Sequence, residues 1–297
     1  MKKFNKIAFI NTVKITDEAK EKIQHYSNER VIYPEFDTED ETEIYQRINN
    51  ADAVLGNWHS IITASILKHA SNLKYIGICG TSLAGVDLEA VKRHNIVIKN
   101  VTDYGDDSTA EYIFAQLLNL FRGFGKHRWR DEPSELSSKT IGIVGLGAVG
   151  QQVARIALGF KMKVLHYNRS RNTEWEEKGV QYSPINNLFE KSDIISMHVP
   201  KNTKIIGKNE IEKIGNGKII IDTCLGNIYK DIDAVRLWLE DENNFLIRDH
   251  QPEIKEKLGD LERFIYTENI IAGITIEARE KLSIKVIDNI EAYLTDN

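Results

Sequence analysis

The sequence contains few of the residues on which several classes of protein depend. Its 297 residues include only 2 cysteines and 5 prolines, and no apolar run approaches the length of a transmembrane helix. Cys79 and Cys224 lie far apart and show no Cys/His spacing typical of a zinc site. We therefore expect no disulfide framework, no metal and no membrane span, and interpret each cysteine as a buried, reduced thiol. These absences favour a cytoplasmic location.

The first residues could begin a secretory signal, because two adjacent lysines precede a short apolar run in MKKFNKIAFI. Asn11 and Lys14 interrupt that run, and no small-residue cleavage site follows. A first β-strand near residues 7–10 is the better interpretation.

The charge balance excludes further partners. Acidic side chains number 44 and basic ones 39, which gives a net charge of −5. Because no overall positive field would attract nucleic acid or an anionic membrane, we expect a small-molecule substrate and neither of those partners. With 41% hydrophobic and 28% charged residues, the chain can fill the cores of two domains of about 150 residues each.

Short β-branched runs alternate with segments of helical periodicity along the whole chain. Such alternation is typical of βαβ units and parallel sheets. We predict an α/β fold made of two Rossmann-like, doubly wound parallel-sheet domains. The predicted strands lie near residues 7–10, 53–56, 75–79, 96–98, 141–144, 164–167, 193–197, 218–222, 244–247 and 269–272.

The domain boundaries follow from two helices and one loop. Apolar residues at helical spacing over 108–121 predict a long helix, and the Gly-, Pro- and charge-rich stretch 123–139 is typical of a boundary loop. No strand follows the last predicted helix, 278–294, so we expect it to cross back onto the first domain. The predicted domains are residues 1–104 with 279–297, and residues 105–278.

The most specific short motif is Gly145-Leu146-Gly147-Ala148-Val149-Gly150, which stands between a predicted strand and a predicted helix. In that order the pattern predicts a dinucleotide-binding turn. Glycines let the backbone come close to a pyrophosphate, and the free amides at the start of the helix receive its charge.

The next predicted strand ends in Tyr167-Asn168-Arg169-Ser170-Arg171. An NAD-preferring site places an acidic residue about 20 positions after the glycines, to hold the ribose hydroxyls. No carboxylate stands in this segment. Arg169, with Ser170, offers a cation and a hydroxyl for a 2′-phosphate, with Arg171 as a further candidate cation and Asn168 as a further contact, so NADP(H) is favoured over NAD(H). The alternative is that the arginines are merely solvated.

Several segments together resemble successive landmarks of the D-2-hydroxyacid dehydrogenases: GICGTSLAGVDLEAV, STAEYIFAQLLNLFR, ELSSKTIGIVGLGAVG, SDIISMHVPKNTK and IIIDTCLG. The resemblance implies a flavodoxin-like substrate-binding domain built from both chain ends, a central Rossmann domain, an active-site cleft between them, and usually a homodimer. It also implies cofactor contacts at Ala148, Val149, His198, Val199, Pro200, Thr223, Cys224 and Asp249.

The sequence departs from this family at the catalytic positions. The family uses an arginine that binds the substrate carboxylate and a histidine, paired with a glutamate, that transfers the proton. Leu225 occupies the arginine position, Gln251 precedes proline where the glutamate would stand, and Thr275 follows the last predicted strand in place of the histidine. The usual reaction of the family is therefore doubtful here.

Other residues are candidates for the missing roles. His250 follows Asp249 and is a candidate proton donor with Glu253 as its partner, or else an exposed loop residue. Strand ends in the first domain offer candidate substrate contacts, since ligand sites of α/β proteins form there. They are Trp58 and His59, with packing as the alternative for Trp58, and the segment Gly80, Thr81 and Ser82, with a plain turn as its alternative.

Three functions are compatible with this pattern. The first is an NADP(H)-dependent oxidoreductase of altered substrate range that reduces an imine, an alkene or a ketone without a carboxylate. The second is an inactive dinucleotide-binding sensor or scaffold, and the third is an ordinary 2-hydroxyacid dehydrogenase with replaced catalytic groups. A homodimer built on the helix at 108–121 is expected in each case.

Overall fold

A computed structural model describes residues 2–241 and 243–296. The chain divides into two compact units, which we call unit 1 (residues 1–104 and 276–297) and unit 2 (residues 105–275). The second boundary falls between residues 275 and 276, where the last helix begins, and not between 278 and 279. Within the described ranges, no helix combines the length and the apolar character that a membrane span requires.

Unit 1 contains a parallel sheet with strands in the order β1-β2-β3-β4. A segment near Ser27 also runs parallel to the chain at Phe4, beside β1. With this segment counted as a second strand, the order becomes that of a doubly wound, flavodoxin-like sheet. The elements are β1 (Ile7–Phe9), α1 (Asp17–His25), α2 (Glu41–Ile48), β2 (Ala53–Asn57), α3 (Ala64–His69), β3 (Tyr75–Cys79), α4 (Leu88–Arg93) and β4 (Val97–Asn100).

The helices of unit 1 begin at residues whose side chains cap the first turn. Thr16, Asp40, Thr63 and Asp87 each accept a hydrogen bond from the backbone N–H three residues further on. These bonds satisfy amide groups that have no partner inside the helix, and each such cap is worth about 1 kcal/mol. The sequence therefore fixes locally where α1, α2, α3 and α4 start.

The last helix, α12 (Ile276–Asp296), completes the core of unit 1. Its Leu282, Val286 and Ile290 are buried in the same apolar cluster as residues of β1, β2 and β3. The Ser283 hydroxyl accepts a hydrogen bond from the Thr16 backbone N–H at 2.8 Å, which joins α12 to the start of α1. The two ends of the chain thus share one core.

Unit 2 contains a parallel sheet in the order β11-β10-β9-β8-β5-β6-β7. The strand order reverses between β5 and β8, and ligands of doubly wound folds bind beside such a point at the carboxyl ends of the strands. The predicted α/β fold class with parallel sheets is confirmed. The elements are α5 (Asp106–Arg122), β5 (Thr140–Val144), α6 (Ala148–Gly159), β6 (Lys163–Tyr167), α7 (Thr173–Glu177), β7 (Gln181–Tyr182), α8 (Ile185–Lys191), β8 (Ile194–Met197), α9 (Lys208–Ile214), β9 (Ile219–Asp222), α10 (Ile232–Trp238), β10 (Phe245–Arg248), α11 (Pro252–Leu258) and β11 (Phe264–Tyr266).

The prediction of a strand at 269–272 is wrong. The last strand of unit 2 is β11, Phe264–Tyr266, and residues 269–272 form a loop. The Asp249 carboxylate accepts hydrogen bonds from the backbone N–H groups of Ile271 and Ala272, which holds these amides away from any sheet. Residues 269–272 therefore have the apolar composition of a β-strand, but they do not pair with the described sheet.

The role of α12 in unit 1 can be tested with one buried and one exposed isoleucine of the same helix. Ile290 is 1% exposed and Ile284 is 61% exposed. We expect Ile290→Ala to lower the free energy of unfolding by about 2–5 kcal/mol, because a cavity remains in the core. Ile284→Ala should change it by no more than about 0.5 kcal/mol. Equal effects of the two variants in urea denaturation would contradict this packing.

Candidate functional site

The turn after β5 has a shape that requires glycine at two positions. Gly145 has a φ of +98°, and a Cβ atom there would lie 2.0 Å from the His198 carbonyl oxygen. A Cβ atom on Gly150 would lie 2.1 Å from the carbonyl oxygen of Gly145. Both distances are impossible contacts, so any side chain at either position would open the turn. These glycines bring β5, the end of β8 and α6 together.

Gly147 differs from the other two glycines. A Cβ atom at Gly147 would meet no atom of the described residues within 4 Å. Gly147 and Ala148 are exposed, Val149 is half-buried, and no described side chain caps α6. The backbone amides at the start of this twelve-residue helix therefore face open space, where they can receive an anion. The packing of the chain itself does not explain this glycine, whereas the close approach of a pyrophosphate does.

The segment after β6 presents one uncompensated cation. Arg169 and Ser170 are exposed and Asn168 is half-buried. Over residues 2–241 and 243–296, Arg169 makes no ion pair or hydrogen bond. Arg171, by contrast, forms a two-point ion pair with Glu176, so its charge is already compensated.

The end of β8 joins the ends of its neighbours. The His198 backbone N–H donates to the Val144 carbonyl at 2.8 Å, and its Nε2 atom lies 2.8 Å from the Ser196 hydroxyl. Loss of hydration lowers the pKa of His198 to about 3, so the ring is neutral near pH 7. The Val199 N–H points to Cys224 Sγ at 3.4 Å, and Pro200 is exposed. The predicted cofactor contacts of β8 and β9 are thus adjacent.

Cys224 is a buried residue just after the end of β9, where its thiol links β9 to β8. Its thiol donates to the Met197 carbonyl at 3.1 Å, and burial raises its pKa well above the usual value. The thiol is therefore protonated and unreactive. Cys79 and Cys224 are both free and buried, which confirms the interpretation of the cysteines. Thr223, beside Cys224, is half-buried.

A buried ion pair connects the ends of β9 and β10. Arg248 is 2% exposed and Asp222 is fully buried, and Arg248 Nη1 lies 2.5 Å from Asp222 Oδ1. The Asp222 carboxylate also accepts hydrogen bonds from the Cys224 N–H and the Tyr229 hydroxyl, each at 2.9 Å. The sequence analysis missed Arg248, although an arginine inside the apolar strand segment NFLIRD was a visible signal.

Arg248 also binds the backbone on both sides of Leu225. Its Nη2 atom donates to the Cys224 carbonyl at 2.7 Å, to the Gly226 carbonyl at 3.2 Å and to the side-chain oxygen of Gln251. Gln251 is itself buried, at 7% exposure. The guanidinium thus ties the loop after β9 to the loop after β10.

Asp249 organises the loop that follows β11. Its Oδ1 atom accepts a hydrogen bond from the Thr267 hydroxyl at 2.6 Å and from the Ile271 N–H at 3.3 Å. Its Oδ2 atom accepts one from the Ala272 N–H at 3.2 Å. Burial, with the Asp249 charge as a smaller cause, raises the pKa of the nearby Tyr112 to about 12. Asp249 therefore fixes the loop beside the end of β10.

His250 is paired with Tyr266 and not with Glu253. The Tyr266 hydroxyl accepts the Gln251 N–H at 3.0 Å and lies 3.1 Å from His250 Nδ1. In the tautomer with its proton on Nε2, the His250 ring accepts the Tyr266 hydroxyl proton at Nδ1. Glu253 is exposed at the start of α11 and makes no hydrogen bond to His250 in the part of the chain that is described. The predicted partner of His250 was therefore wrong.

In unit 1 the ends of β2 and β3 are in close contact. A Cβ atom on Gly80 would lie 2.9 Å from the Cβ of Trp58, so this position needs glycine. Trp58 is half-buried, and its ring contacts the ring of the exposed His59. The Thr81 hydroxyl donates to the Val101 carbonyl at 3.3 Å.

The Ser82 hydroxyl also belongs to its own turn, because it accepts the Ala84 N–H at 3.2 Å. Nearby, Asn57 is 8% exposed and donates to the Thr12 carbonyl at 2.9 Å and to Asp37 Oδ2 at 3.1 Å. The sequence analysis missed this polar group. It supports the backbone at the carboxyl end of β2, where Trp58 and His59 begin.

The D-isomer specific 2-hydroxyacid dehydrogenase NAD-binding domain matches residues 114–267, which is more than half of the chain. The chain belongs to this family. It is therefore an NAD(P)-dependent oxidoreductase, and the glycine turn fits the dinucleotide. The sequence-based assignment to the family is confirmed.

Curated relatives of this family match most of the chain. A hydroxypyruvate reductase of Thermotoga maritima is 28% identical over 84% of this chain and 86% of its own length. A glyoxylate reductase of Thermococcus litoralis is 27% identical over 84% and 82%.

Solved structures match nearly the whole chain. An acyclic imino acid reductase (Bsp5), in complex with NADPH and D-Arg, is 30% identical with a TM-score of 0.83, over 98% of this chain and 97% of that one. A D-lactate dehydrogenase of Aquifex aeolicus, with NAD and lactic acid, has a TM-score of 0.81 at 22% identity, over 98% and 96%. This second likeness concerns the fold alone.

The last strand of unit 2 bears on one of the three family catalytic positions. A Pro-His pair directly after β11 would fall near residues 267–269, which hold Thr267, Glu268 and Asn269 and no histidine. Asn269, which is exposed, is therefore a second candidate for the histidine position beside Thr275. Thr275 is half-buried and precedes α12. Arg248 does not replace the family arginine at Leu225, because Arg248 is buried and its charge is compensated by Asp222.

The contribution of the buried Arg248–Asp222 pair to stability can be compared with that of an exposed ion pair in unit 2. Asp222→Asn should lower the free energy of unfolding by about 3–5 kcal/mol, because Arg248 keeps an uncompensated buried charge. Asp260→Asn breaks the exposed pair with Arg236 and should cost no more than about 1 kcal/mol. Asp222→Asn combined with Arg248→Met should recover part of the loss. A mild effect of Asp222→Asn in urea denaturation would contradict the role given to this pair.

Proposed function

We propose that this protein is an NADPH-dependent reductase of carbon–nitrogen double bonds. The resemblance to the family carries the proposal: the dinucleotide turn is intact, whereas the family's arginine, glutamate and histidine are replaced by Leu225, by Gln251 and by Thr275 or Asn269. The cofactor function is kept and the proton-transfer function is lost. A substrate that needs no proton donor fits this combination.

The proposed substrate class follows from whether hydride transfer leaves a negative charge on the substrate. A bound NADPH supplies a hydride to the substrate carbon. A ketone then becomes an alkoxide, which needs a general acid worth about 10²–10⁴-fold in rate. An iminium ion already carries its proton and becomes a neutral amine. Removal of the histidine therefore impairs ketone reduction much more than reduction of an iminium.

The comparison with a solved relative supports the same class. The imino acid reductase, which is 30% identical over 98% of this chain, was solved with NADPH and D-Arg. The hydroxypyruvate and glyoxylate reductases are less identical and cover less of the chain. Leu225 offers a substrate an apolar surface and no charge, so a substrate carboxylate would need other donors.

The proposed cofactor contacts run along the carboxyl ends of the strands of unit 2. The amides of Gly147, Ala148 and Val149 would hold the pyrophosphate, and Arg169 with Ser170 and Asn168 the 2′-phosphate. The nicotinamide half would lie beside residues 198–200, 223–224 and Asp249. Asp249 is already held by Thr267 and the loop after β11, which would fix the orientation of its carboxylate.

His250 provides a second route, for a ketone without a carboxylate. When the His250 ring is doubly protonated, its Nδ1–H can donate to the Tyr266 hydroxyl oxygen 3.1 Å away, and its Nε2–H can give a proton to the developing alkoxide, which leaves a neutral ring. Trp58, His59, Gly80, Thr81 and Ser82 stay predicted substrate contacts. The homodimer and the cytoplasmic location also stay predictions.

The cofactor preference can be tested by direct binding. Arg169→Gln should raise the Kd for NADPH about tenfold and leave that for NADH nearly unchanged, because only the 2′-phosphate loses a charge-assisted hydrogen bond. Lys163→Gln, an equal charge change at the other end of β6, serves as the control. Equal affinity of the native protein for both cofactors in calorimetric titration would refute the preference.

The reaction class can be tested by comparing a 2-keto acid with and without an amine. NADPH oxidation with glyoxylate or pyruvate should require methylamine or ammonia, and the product should be an amine. A carbonyl and imine panel without carboxylates extends the comparison. His250→Asn should reduce the imine rate by less than about tenfold, since no acid is required. Rapid conversion of the keto acid alone into a hydroxy acid would reject the proposal.

The missing catalytic set can be restored in the same assay. Leu225→Arg combined with Thr275→His, or with Asn269→His, should introduce weak 2-keto acid reduction, and the pair with the larger gain identifies the position of the missing histidine.

A further inference from the structure

Beside the end of β6, four side chains form a group that the proposed mechanism does not use. Arg171, Glu176, His166 and Tyr182 come from the loop after β6, from α7, from β6 and from β7. All lie close in sequence to Arg169, the residue proposed to bind the 2′-phosphate. We call this group the β6 cluster.

Glu176 compensates the charge of Arg171 by a two-point contact. Arg171 Nε donates to Glu176 Oε1 at 3.0 Å, and Nη2 donates to Oε2. The Arg171 guanidinium also lies 5.3 Å from the centre of the Tyr182 ring. The hydrogen bond from Arg171 lowers the pKa of Glu176, so the carboxylate is ionised near pH 7. Arg171 is therefore held on Tyr182 with its charge neutralised.

His166 restricts the same carboxylate from the inside. The ring is fully buried and its Nε2 atom lies 3.8 Å from Glu176 Oε1, while neither ring nitrogen makes a hydrogen bond among the described residues. Burial lowers the pKa of His166, which keeps the ring neutral. The Glu176 side chain is 19% exposed, against 72% for its neighbour Glu174 on the same helix. Glu176 is thus a fixed negative charge, unlike an ordinary surface carboxylate.

We propose that Glu176 is a specificity-determining residue for the cofactor, because it neutralises Arg171 and leaves Arg169 as the one uncompensated cation in the described segment 167–171 that a 2′-phosphate could meet. This inference rests on the proposed NADPH site after β6. It predicts that the native protein discriminates between NADPH and NADH less strongly than its two arginines would allow.

Charge alone determines whether loss of the Glu176 carboxylate strengthens or weakens NADPH binding. Removing the negative charge of Glu176 makes the potential at the end of β6 more positive and releases Arg171. Both changes strengthen the binding of NADPH, which carries a 2′-phosphate at this position. They leave the binding of NADH nearly unchanged, because its 2′-hydroxyl has no charge. Charges closer than the screening length, which is about 8 Å at physiological ionic strength, still interact near a protein surface.

The experiment compares Glu176→Gln with Glu174→Gln in the full-length protein. Both variants remove one negative charge from α7, but the cation released by the control is Lys178, which directly follows that helix. The Kd values for NADPH and NADH are measured by titration at low and at high salt. We expect Glu176→Gln to bind NADPH at least about threefold more tightly at low salt, with less gain at high salt and an unchanged Kd for NADH. Glu174→Gln should leave both values unchanged.

Two more variants assign the effect to Arg171. Arg171→Gln combined with Glu176→Gln should return the Kd for NADPH close to the native value, because both charges are gone. Glu176→Asp, which keeps the charge, should stay close to native as well. Thermal melts establish that each variant is folded before its titration is interpreted.

An unchanged or weakened NADPH affinity in folded Glu176→Gln would overturn the inference, as would an equal gain in Glu174→Gln. A native protein that binds both cofactors equally would instead refute the proposed NADPH preference. The two failures are distinguishable, because one is read from the ratio of variant to native affinity and the other from the native protein.

Discussion

The buried pair of Arg248 and Asp222 is the interaction on which the proposed reactive end of unit 2 depends. One guanidinium binds the Asp222 carboxylate, the carbonyls of Cys224 and Gly226, and the Gln251 side chain. Two loops that would surround the nicotinamide are therefore held by a single charge from within the sheet. Because a buried pair adds little net stability but becomes very costly when one partner is lost, its main effect is to fix the geometry of those loops.

This arrangement explains how the site can lack the family's charges and still be ordered. Gln251 is engaged by Arg248 and cannot serve as a carboxylate, and Leu225 is held by its backbone neighbours with no cation of its own. A neutral surface of this kind provides neither strong recognition of a substrate carboxylate nor acid catalysis. The chemistry that survives is the one in which the substrate brings its own proton, and that is the physical basis for favouring an iminium over a ketone.

Local signals in the sequence predicted the parts of the structure that depend on local contacts. The glycine turn needs only adjacent strands and backbone geometry, and it was predicted. The helix caps also depend on partners only three residues away, although the sequence analysis did not name them. Arg248 could not be assigned, because its partners come from another strand. The prediction of a strand at 269–272 was wrong for the same reason. Two of its backbone amides donate to Asp249, about 20 residues earlier in the chain, and no local sequence pattern indicates those hydrogen bonds. Counting from β11 adds Asn269 to Thr275 as a candidate for the position of the missing histidine.

An ion pair lies near each end of the proposed cofactor site, and the two pairs have different effects. At the end of β10 a buried charge is neutralised by Asp222, and the effect is structural. Beside β6 the charge of Arg171 is neutralised at the surface by Glu176, and the effect is on the field that a ligand would meet. A change at Glu176 can adjust the charge at the surface without disturbing the buried pair, because the two ion pairs share no residue. In the sheet, β8 and β5 lie between β9, which carries Asp222, and β6, which precedes Arg171. Cofactor preference and loop geometry can therefore vary independently in this fold, which is why an altered reaction need not change the choice of cofactor.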